Sequence, residues 1–537
     1  MAATDGMVED GKVGNDLESA KFTKDKEVVD IVQPTAKLIG LTKEQLEQYR
    51  NDPFWKAIRY SLFVAFWLIW LAMFVGAVLI VVLSPKCQQV NWTEKMVAYK
   101  IFTLAYKDSE SKNGFGDFEV IEKKLDQMKG IGVNAIWPTP VLKYYKNALG
   151  PEAIEKLEVS DQLGGAEGFK KLIKRAHDNQ IKVIVDLPLT VNAKGNWANK
   201  TSDTKNGIAL IDLDNAANRE GLKEAAVRFL DFGVDGLAIT DYGLFANSVH
   251  LGSLVDLIRT IPKAEKIPIY ARGSLKGPTE FYEISSLVGD VPSDGVNGLK
   301  KMLEGSIKNI EENGGNKSRI WQLGSMDPSG QRLDQLLGKE SKSNEQKQRI
   351  SSLFTSVHLF MPKPVVVLYG EELGLLSGKP TANKLANRIV YPWSNETFGN
   401  QSQGFFVFPQ RTKNGDFESQ KNDKHSPLAL FKEIAKLREH SNFFSGVLSH
   451  SSSSDGLDFY KIKRSQGGFF VLVVNWGEKQ KALDNKTLPD ELKQTKLGAA
   501  KVIVSTDAVG KDGNVNFEMG ETPIEMKPYG AMLMDMA

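Results

Sequence analysis

Residues 169–187 read FKKLIKRAHDNQIKVIVDL, and residues 222–240 read LKEAAVRFLDFGVDGLAIT. In each stretch the apolar residues first recur every three or four positions, as on one face of a helix. They then follow in a short run rich in Val, Ile and Leu, as in a buried strand. A helix followed by such a strand is the repeating unit of α/β proteins. The two stretches therefore predict helices over a parallel sheet.

Working outward, five more apolar runs have the length and composition of buried strands: AYKIFT (98–103), NAIWPTP (134–140), IPIYAR (267–272), RIWQL (319–323) and PVVVLYG (364–370). Seven strands can be placed in this way, and an eighth between Arg272 and Arg319 is not located. The pattern predicts a β/α (TIM) barrel over residues 96–445. In such barrels functional side chains lie at the carboxyl ends of the strands.

Residues 62–83 read LFVAFWLIWLAMFVGAVLIVVL, which is 22 positions without a charged or polar side chain. A helix of that length spans about 33 Å, enough to cross the hydrocarbon core of a bilayer. The run starts too far from the N-terminus, and is too long, for a cleaved signal peptide. We predict a transmembrane signal anchor over residues 58–84. Ala72 and Gly76 give it a face of small residues that permits close helix packing.

Topology is inferred from the flanking charges and from possible glycosylation sites. Four basic residues precede the apolar run closely and three follow it more sparsely, which favours a cytosolic N-terminus. Asn-X-Ser/Thr sequons, which function only outside the cytosol, all follow the run. We expect a largely disordered cytosolic tail (1–57), a juxtamembrane linker (85–95) and a large ectodomain. The expected acceptors are Asn199, Asn316, Asn395, Asn400 and Asn485, whereas Asn91 lies too near the apolar run to be a good one.

The composition excludes several classes of protein. The chain has 68 Lys+Arg and 66 Asp+Glu, so its net charge of +2 gives no strong overall field. A nucleic-acid-binding role would need a local basic stripe, and the sequence shows none. Its single cysteine, Cys87, excludes an internal disulfide framework and a Cys-based zinc site. On the inferred topology Cys87 lies just outside the membrane, where it is either bonded to another chain or left unpaired.

Five ordered segments resemble the α-amylase family of glycoside hydrolases. They are YKIFTLAYKDSESKNGFGDF, LDQMKGIGVNAIWPTPV, VSDQLGGAEGFKKLIKRAHDNQIKVIVDL, LIDLDNAANREGLKEAAVRFLDFGVDGLAITD and PVVVLYGEELGL. The resemblance implies an α-amylase-type barrel without the subdomain that many members insert after the third strand. It also implies a C-terminal antiparallel β-sandwich over residues 446–537.

The resemblance also implies that the catalytic groups have been replaced. The family pattern GVDGFRxD reads GVDGLAIT here, which puts Ala238 at the Arg and Thr240 at the nucleophilic Asp. Asp241 is one residue late, and Arg272 aligns with the acid/base Glu. Met326 takes the place of the histidine in the family's triplet before an aspartate. Because retaining hydrolysis needs two carboxyl groups, no catalytic residue is expected.

A calcium site is weighed separately, because some members of the family bind calcium in the loop after the first strand. Lys112 and an extra residue disturb the spacing of the oxygen ligands, so neither a metal nor another cofactor is expected. The alternative is calcium, and its possible ligands are Asp108, Glu110, Asn113 and Asp117.

The anchor, the lone juxtamembrane cysteine and the altered active site together resemble the heavy-chain subunits of heteromeric amino-acid transporters, of the cell-surface antigen type. The segments that carry this resemblance are LTKEQL, FWLIWLAMFVGAVLIVVLSPKC and GVDGLAITD. It implies a non-catalytic subunit that pairs with a polytopic light chain through the transmembrane helix and a disulfide at Cys87, and brings that chain to the plasma membrane. A membrane-anchored α-glucosidase-like enzyme and a stand-alone adhesion or receptor glycoprotein are the alternatives.

Overall fold

A computed structural model of the chain describes most residues from 43 onward. The described residues are 43–83, 91–106, 115–147, 150–199, 207–240, 249–272, 281–286, 295–313, 319–326, 330–337, 342–379, 385–394, 406–465, 467–484, 486–494, 500–506, 516–517 and 523–536. The chain divides into two compact units, residues 1–86 and 87–537, and each is described by itself.

The helices in these ranges are α1 (Lys43–Arg50), α2 (Pro53–Leu83), α3 (Thr103–Tyr106), α4 (Phe118–Gly130), α5 (Gly165–Asp178), α6 (Ala216–Phe232), α7 (Val249–Arg259), α8 (Gly295–Asn313), α9 (Leu333–Leu336), α10 (Asn344–Phe360), α11 (Phe417–Lys421), α12 (Pro427–Leu437), α13 (Ser441–Phe444) and α14 (Asp490–Gln494).

The strands are β1 (Val97–Phe102), β2 (Ala135–Thr139), β3 (Leu142–Asn147), β4 (Gly150–Val159), β5 (Lys182–Pro188), β6 (Thr190–Asn192), β7 (Ile208–Leu210), β8 (Gly236–Thr240), β9 (Ile269–Arg272), β10 (Phe281–Ser286), β11 (Arg319–Gln322), β12 (Val365–Leu368), β13 (Val447–Ser452), β14 (Asp458–Lys463), β15 (Phe469–Val474), β16 (Lys481–Leu483), β17 (Ala500–Ser505), β18 (Asn516–Phe517), β19 (Ile524–Met526) and β20 (Ala531–Met536).

The first unit contains α1 and the long apolar helix α2. The Asp52 carboxylate accepts a hydrogen bond from the Phe54 N–H (2.9 Å) where α2 begins. Arg59 donates to the carbonyl oxygens of Tyr49 and Arg50, tying α2 to the end of α1. Residues Pro53–Ile80 are long and apolar enough to cross a membrane, and α2 is the one such helix in the described ranges. Its large apolar side chains are exposed, and a helix that is apolar all round is typical of a membrane span.

The second unit is built on a closed barrel of eight parallel strands in the order β1-β12-β11-β10-β9-β8-β5-β2. The two stretches quoted at the outset form α5 with β5 and α6 with β8, as predicted. Helix α6 begins where the Asn215 side chain accepts from the Ala217 N–H and ends at Gly233, whose φ of 98° is left-handed. The strand that the sequence did not locate is β10. The predicted β/α barrel is therefore confirmed.

Smaller sheets flank the barrel. Strands β3, β4, β6 and β7 form a four-stranded sheet beside it, and the part of this sheet that follows β5 consists of two three-residue strands. At the C-terminal end, a six-stranded antiparallel sheet (β13-β14-β15-β20-β17-β18) and a two-stranded sheet (β16-β19) enclose a separate apolar core. Lys300 of α8 reaches the buried carboxylate of Asp458 on β14 (2.6 Å), linking the barrel to the C-terminal sheet.

Candidate functional site

The inner face of the barrel brings together side chains from several strands. The indole N–H of Trp137 on β2 donates to the carboxylate of Asp186 on β5 (2.6 Å). The Lys100 ammonium of β1 lies 4.5 Å from the centre of the Trp137 ring. Tyr270 of β9 packs against the same indole, with ring centroids 6.0 Å apart. All four side chains are buried, so this layer is packed as a core.

Space for the Tyr270 ring is created on the neighbouring strand. Gly236 of β8 faces this ring, and a Cβ atom at position 236 would lie 2.9 Å from its nearest carbon. A larger residue at position 236 would force the Tyr270 ring to shift, which explains the second glycine of GVDGLAIT.

The positions that the resemblance assigns to catalysis lie at the ends of β8, β9 and β11. Ala238 is fully buried and pairs in register with Asp186 and with Tyr270. Thr240 ends β8 on the same face of the strand as Ala238, because side chains alternate along a strand. Arg272 ends β9, and Met326 is buried just beyond β11. Asp241 and Asp327 lie outside the described residues, as does the side chain of Arg272.

The register shows which carboxyl groups can face the barrel interior. Of the inward positions on β1, β2, β5 and β8, Asp186 alone carries a carboxyl group. It is 6% exposed and already accepts the Trp137 hydrogen bond. These four strands therefore do not present a pair of facing carboxylates about 5 Å apart, the arrangement that retaining glycosidases use.

A second polar group lies beyond β12, in the short 3₁₀ helix Glu371–Leu373. Glu372 accepts hydrogen bonds from the hydroxyls of Tyr99 and Tyr391 (2.7 Å each) and from the Gly370 N–H (2.8 Å). Burial raises the pKa of Glu372, and burial beside this carboxylate raises the pKa of Tyr99 and of Tyr391 well above the usual value.

Its neighbour Glu371 is also fully enclosed. Burial raises the pKa of Glu371 to about 7, against the opposing effect of the nearby Arg332 guanidinium. One of its oxygens accepts a hydrogen bond from the Leu368 N–H (3.0 Å). Sequence reasoning used YGEELGL only for its resemblance. Two adjacent acidic residues directly after a fully apolar strand are the signal that could have predicted this buried pair.

Three side chains where α8 meets the C-terminal sheet have ligand atoms close enough to hold a metal ion: Glu304, His450 and Asp458. Lys300 already lies 2.6 Å from Asp458 and 3.6 Å from Glu304. Although burial acts to raise the pKa of Asp458, hydrogen bonds from His450, Lys300 and Ser452 outweigh it and lower that pKa. Because the Lys300 ammonium already lies beside these carboxylates, where a metal ion would bind, the cluster is best described as an ion-pair network.

Several residues predicted from the sequence can be placed only in part. Asn91 is exposed, Asn199 is partly buried, and Gly76 has open space around it in α2. Asp117 caps α4 by accepting from the Val120 N–H (3.1 Å), which occupies one oxygen of this possible calcium ligand. Ala72 is exposed on α2. The others lie outside the described ranges: Cys87, the sequons Asn316, Asn395, Asn400 and Asn485, and the possible calcium ligands Asp108, Glu110 and Asn113.

Comparison with protein families divides the chain at the start of the barrel. A model described as "Solute carrier family 3 member 2 N-terminus" matches residues 26–99, which include α2. A model of the α-amylase catalytic domain matches residues 100–208, from β1 onward.

Comparison with individual proteins extends the similarity to the whole chain. Amino acid transporter heavy chain SLC3A2 of Mus musculus is 23% identical over 99% of this chain and 94% of its own length. SLC3A1 of Rattus norvegicus is 32% identical, but over only 33% of this chain and 25% of its own.

Among solved structures, trehalose-6-phosphate hydrolase of Bacillus licheniformis superposes with a TM-score of 0.62 at 17% identity, covering 83% of this chain and all of that one. An α-amylase from H. orenii gives a TM-score of 0.59 at 16% identity, covering 82% of this chain and 99% of its own. Likeness at this level establishes the fold alone. The resemblance inferred from the sequence is confirmed: this chain is similar to an amino acid transporter heavy chain over nearly its whole length, and it carries an α-amylase-type barrel.

Proposed function

We propose that this chain is the non-catalytic heavy-chain subunit of a heteromeric amino-acid transporter. The observation that carries the proposal is its similarity to a named amino acid transporter heavy chain over 99% of its length, through both the apolar helix and the barrel. A polytopic light chain would transport the amino acid. The heavy chain would stabilise that partner and bring it to the plasma membrane.

The interior of the barrel supports a non-catalytic role. The positions assigned to the family's Arg and nucleophile carry Ala238 and Thr240, and Arg272 stands at the acid/base position. The one carboxyl group on the inward positions of β1, β2, β5 and β8 is that of Asp186, which is buried and bonded to Trp137. A group enclosed in this way cannot protonate a leaving group and also attack a sugar.

The exposed apolar surface of α2 supports a partner within the membrane. We propose that residues 58–84 span the plasma membrane with the N-terminus in the cytosol, and that the helix packs on the light chain through the face containing Ala72 and Gly76. Residues 1–57 would form the tail, 85–95 the linker, and 96–445 and 446–537 the extracellular barrel and sandwich. Cys87 would then form a disulfide with the partner, and the paired helices would hold the two thiols at high effective concentration.

The test is co-expression of the full chain with polytopic amino-acid transporter light chains, followed by extraction in mild detergent. A light chain should co-purify, and it should migrate with the heavy chain on a non-reducing gel. Cys87→Ser should abolish the covalent band and leave much of the association and surface expression. The control Ser84→Ala alters a neighbouring side chain without removing a thiol.

The helix contact has its own matched pair of variants. Gly76→Leu should reduce co-purification, because it would fill the small-residue face, whereas Val78→Leu on the opposite side of the helix should not. Association that is lost completely in Cys87→Ser would contradict the helix-packing account. Hydrolysis of an α-glucoside by the purified chain, abolished by Asp241→Asn, would instead support a membrane-anchored enzyme.

A further inference from the structure

The amino-terminal end of the barrel contains a cavity of about 510 Å³. It lies between the starts of β1, β2 and β5 and the C-terminal end of α12. Polar and aromatic side chains from four separate parts of the chain line it: Trp92, Lys95, Lys129, Asn134, Lys182 and Arg438. This end of a TIM barrel is not the one where its enzymes bind substrate, so the cavity is distinct from the altered active site.

The lining is strongly cationic. Four of its side chains are basic, and the one acidic side chain, Glu439, is exposed. Lys95 and Lys129 form no ion pair with any residue that the structure describes. Lys182 does have a partner, Asp235 (2.8 Å), but that carboxylate also bonds to the His177 ring (2.7 Å). The cavity therefore holds more positive charge than its own carboxylates neutralise.

Arg438 adds a buried positive charge to the lining of the cavity. Its side chain is 2% exposed and donates to the carbonyl oxygens of Leu359 (2.8 Å), Met361 (2.6 Å) and Lys363 (2.6 Å), with no carboxylate partner among the described residues. Burial lowers the pKa of this guanidinium to about 9, and its Nε has no hydrogen-bond partner there. A buried cation without a counter-ion is costly, and its potential favours a nearby anion.

The segment that carries Lys95 is held in place beside the cavity. The Asn134 side chain donates to the Lys95 carbonyl oxygen (3.1 Å) and accepts from the Val97 N–H (2.8 Å). The Lys182 ammonium lies 5.9 Å from the Trp92 ring. Lysine ammonium groups bind phosphate as point charges, and several lysines around one cavity can share a single anion.

We propose that this cavity binds an oxyanion of the phosphate-monoester class, held directly by Lys95, Lys129 and Lys182 and stabilised by the charge of Arg438. The anion is either soluble phosphate or the headgroup of a phospholipid, since both present the same oxygens. The inference does not depend on the proposed transporter partnership, because every residue that carries it belongs to the barrel unit.

The experiment is calorimetric titration of inorganic phosphate into the full chain in phosphate-free detergent micelles. The test variant is Lys95→Gln with Lys129→Gln, which leaves the carbonyl-binding Arg438 intact so that the fold is kept. The control is Lys424→Gln with Lys432→Gln, which removes the same charge from two exposed lysines outside the cavity. Thermal unfolding without phosphate verifies that both double variants are folded.

Saturable binding is expected for the native chain and for the control, weakening as NaCl is added. The cavity variant should bind at least about tenfold more weakly, as expected for the loss of charge-assisted hydrogen bonds. No saturable binding by the native chain, or equal binding by the two double variants, would overturn the proposal.

A second measurement identifies the source of the anion. The full chain is placed in nanodiscs of phosphatidylcholine with and without phosphatidate, and the phosphate titration is repeated. Weaker apparent binding of phosphate in phosphatidate discs supports a lipid headgroup as the occupant. Equal binding in both discs supports the soluble ion.

Discussion

The two ends of the barrel differ in whether their charged side chains have bonding partners. Toward the carboxyl ends of the strands, two carboxyl groups are buried and hydrogen-bonded, Asp186 to Trp137 and Glu372 to Tyr99 and Tyr391. At the amino end, Lys95 and Lys129 border a cavity without an ion-pair partner in the described part of the chain. In enzymes with this fold, catalytic residues lie at the carboxyl ends of the strands, and residues at the amino ends contribute mainly to stability. In this chain the described residues form a packed interior toward the carboxyl ends, and basic side chains without ion-pair partners lie at the amino ends.

The largest expected effect tests whether the barrel interior is a true core. Trp137→Ala should lower the free energy of unfolding by about 3–5 kcal/mol, because it opens a cavity in the core and removes the indole hydrogen bond to Asp186. The measurement is denaturant unfolding of the full chain in detergent. Trp92→Ala, at the partly exposed amino end, is the matched control and should cost much less. Equal losses in the two variants would remove the contrast between the two ends.

The next prediction concerns the dependence of stability on pH. Because the pKa of Glu371 is raised from 4.5 to about 7, the folded chain keeps this proton between those two pH values while the unfolded chain loses it. The contribution of Glu371 to stability therefore falls as pH rises through this window, by about 3 kcal/mol in total. Glu371→Gln should remove that slope, so that the variant is more stable than the native chain at pH 8.

Thermal unfolding of the native chain and of Glu371→Gln across pH 4.5–8 provides the measurement, with Glu439→Gln as the exposed control. Parallel profiles for the native chain and Glu371→Gln would mean that Glu371 is already ionised in the folded state. The carboxyl ends of the strands would then contain an enclosed charge, like the amino end.

A smaller effect is expected where one hydroxyl is removed from the Glu372 group. Tyr391→Phe keeps the ring but deletes a 2.7 Å hydrogen bond to a buried carboxyl group, which should cost about 1–3 kcal/mol. Tyr144→Phe is the matched control, since its hydroxyl donates to the neutral amide oxygen of Gln162 (3.0 Å). Denaturant unfolding that shows a greater loss in the control would contradict a special role for the Glu372 group.

The smallest expected effect lies at the amino end. Lys129→Gln should change the free energy of unfolding in the absence of phosphate by less than about 0.5 kcal/mol, as for an ordinary surface substitution. The same denaturant titration measures it. A clear destabilisation would show that the charge of Lys129 serves the fold, and that the two ends of the barrel differ less than the contacts indicate.

The barrel could be predicted because its signals are local. The periodicity of FKKLIKRAHDNQ and the apolar run IKVIVDL specify a helix and a buried strand without knowledge of distant residues, and both form as α5 and β5. Strand β10 was not located, because FYEISS is short and contains Glu and Ser where a buried strand usually shows only apolar residues. Its assignment depends on the pairing with β9 and β11, which involves residues far apart in the chain.

The candidate sites were predicted less completely. The enclosed pair Glu371 and Glu372 was missed because adjacent acidic residues usually lie on the surface, and only the packing of Tyr99 and Tyr391 around them shows otherwise. The role of Cys87 remains a prediction. Its argument rests on topology and on having no second cysteine in the chain, and not on any contact.

The sequence by itself determined the class of fold and the presence of a helix able to cross a membrane. Both depend on the spacing and polarity of neighbouring residues, because an all-apolar helix such as α2 requires lipid or a partner wherever it lies. Only the tertiary structure decided which charged side chains form ion pairs and which do not. Lys95, Lys129, Lys182 and Arg438 are scattered along the chain, and closure of the barrel brings them around one cavity. The energy of a charge depends on its neighbours in space, and these become known only once the chain is folded.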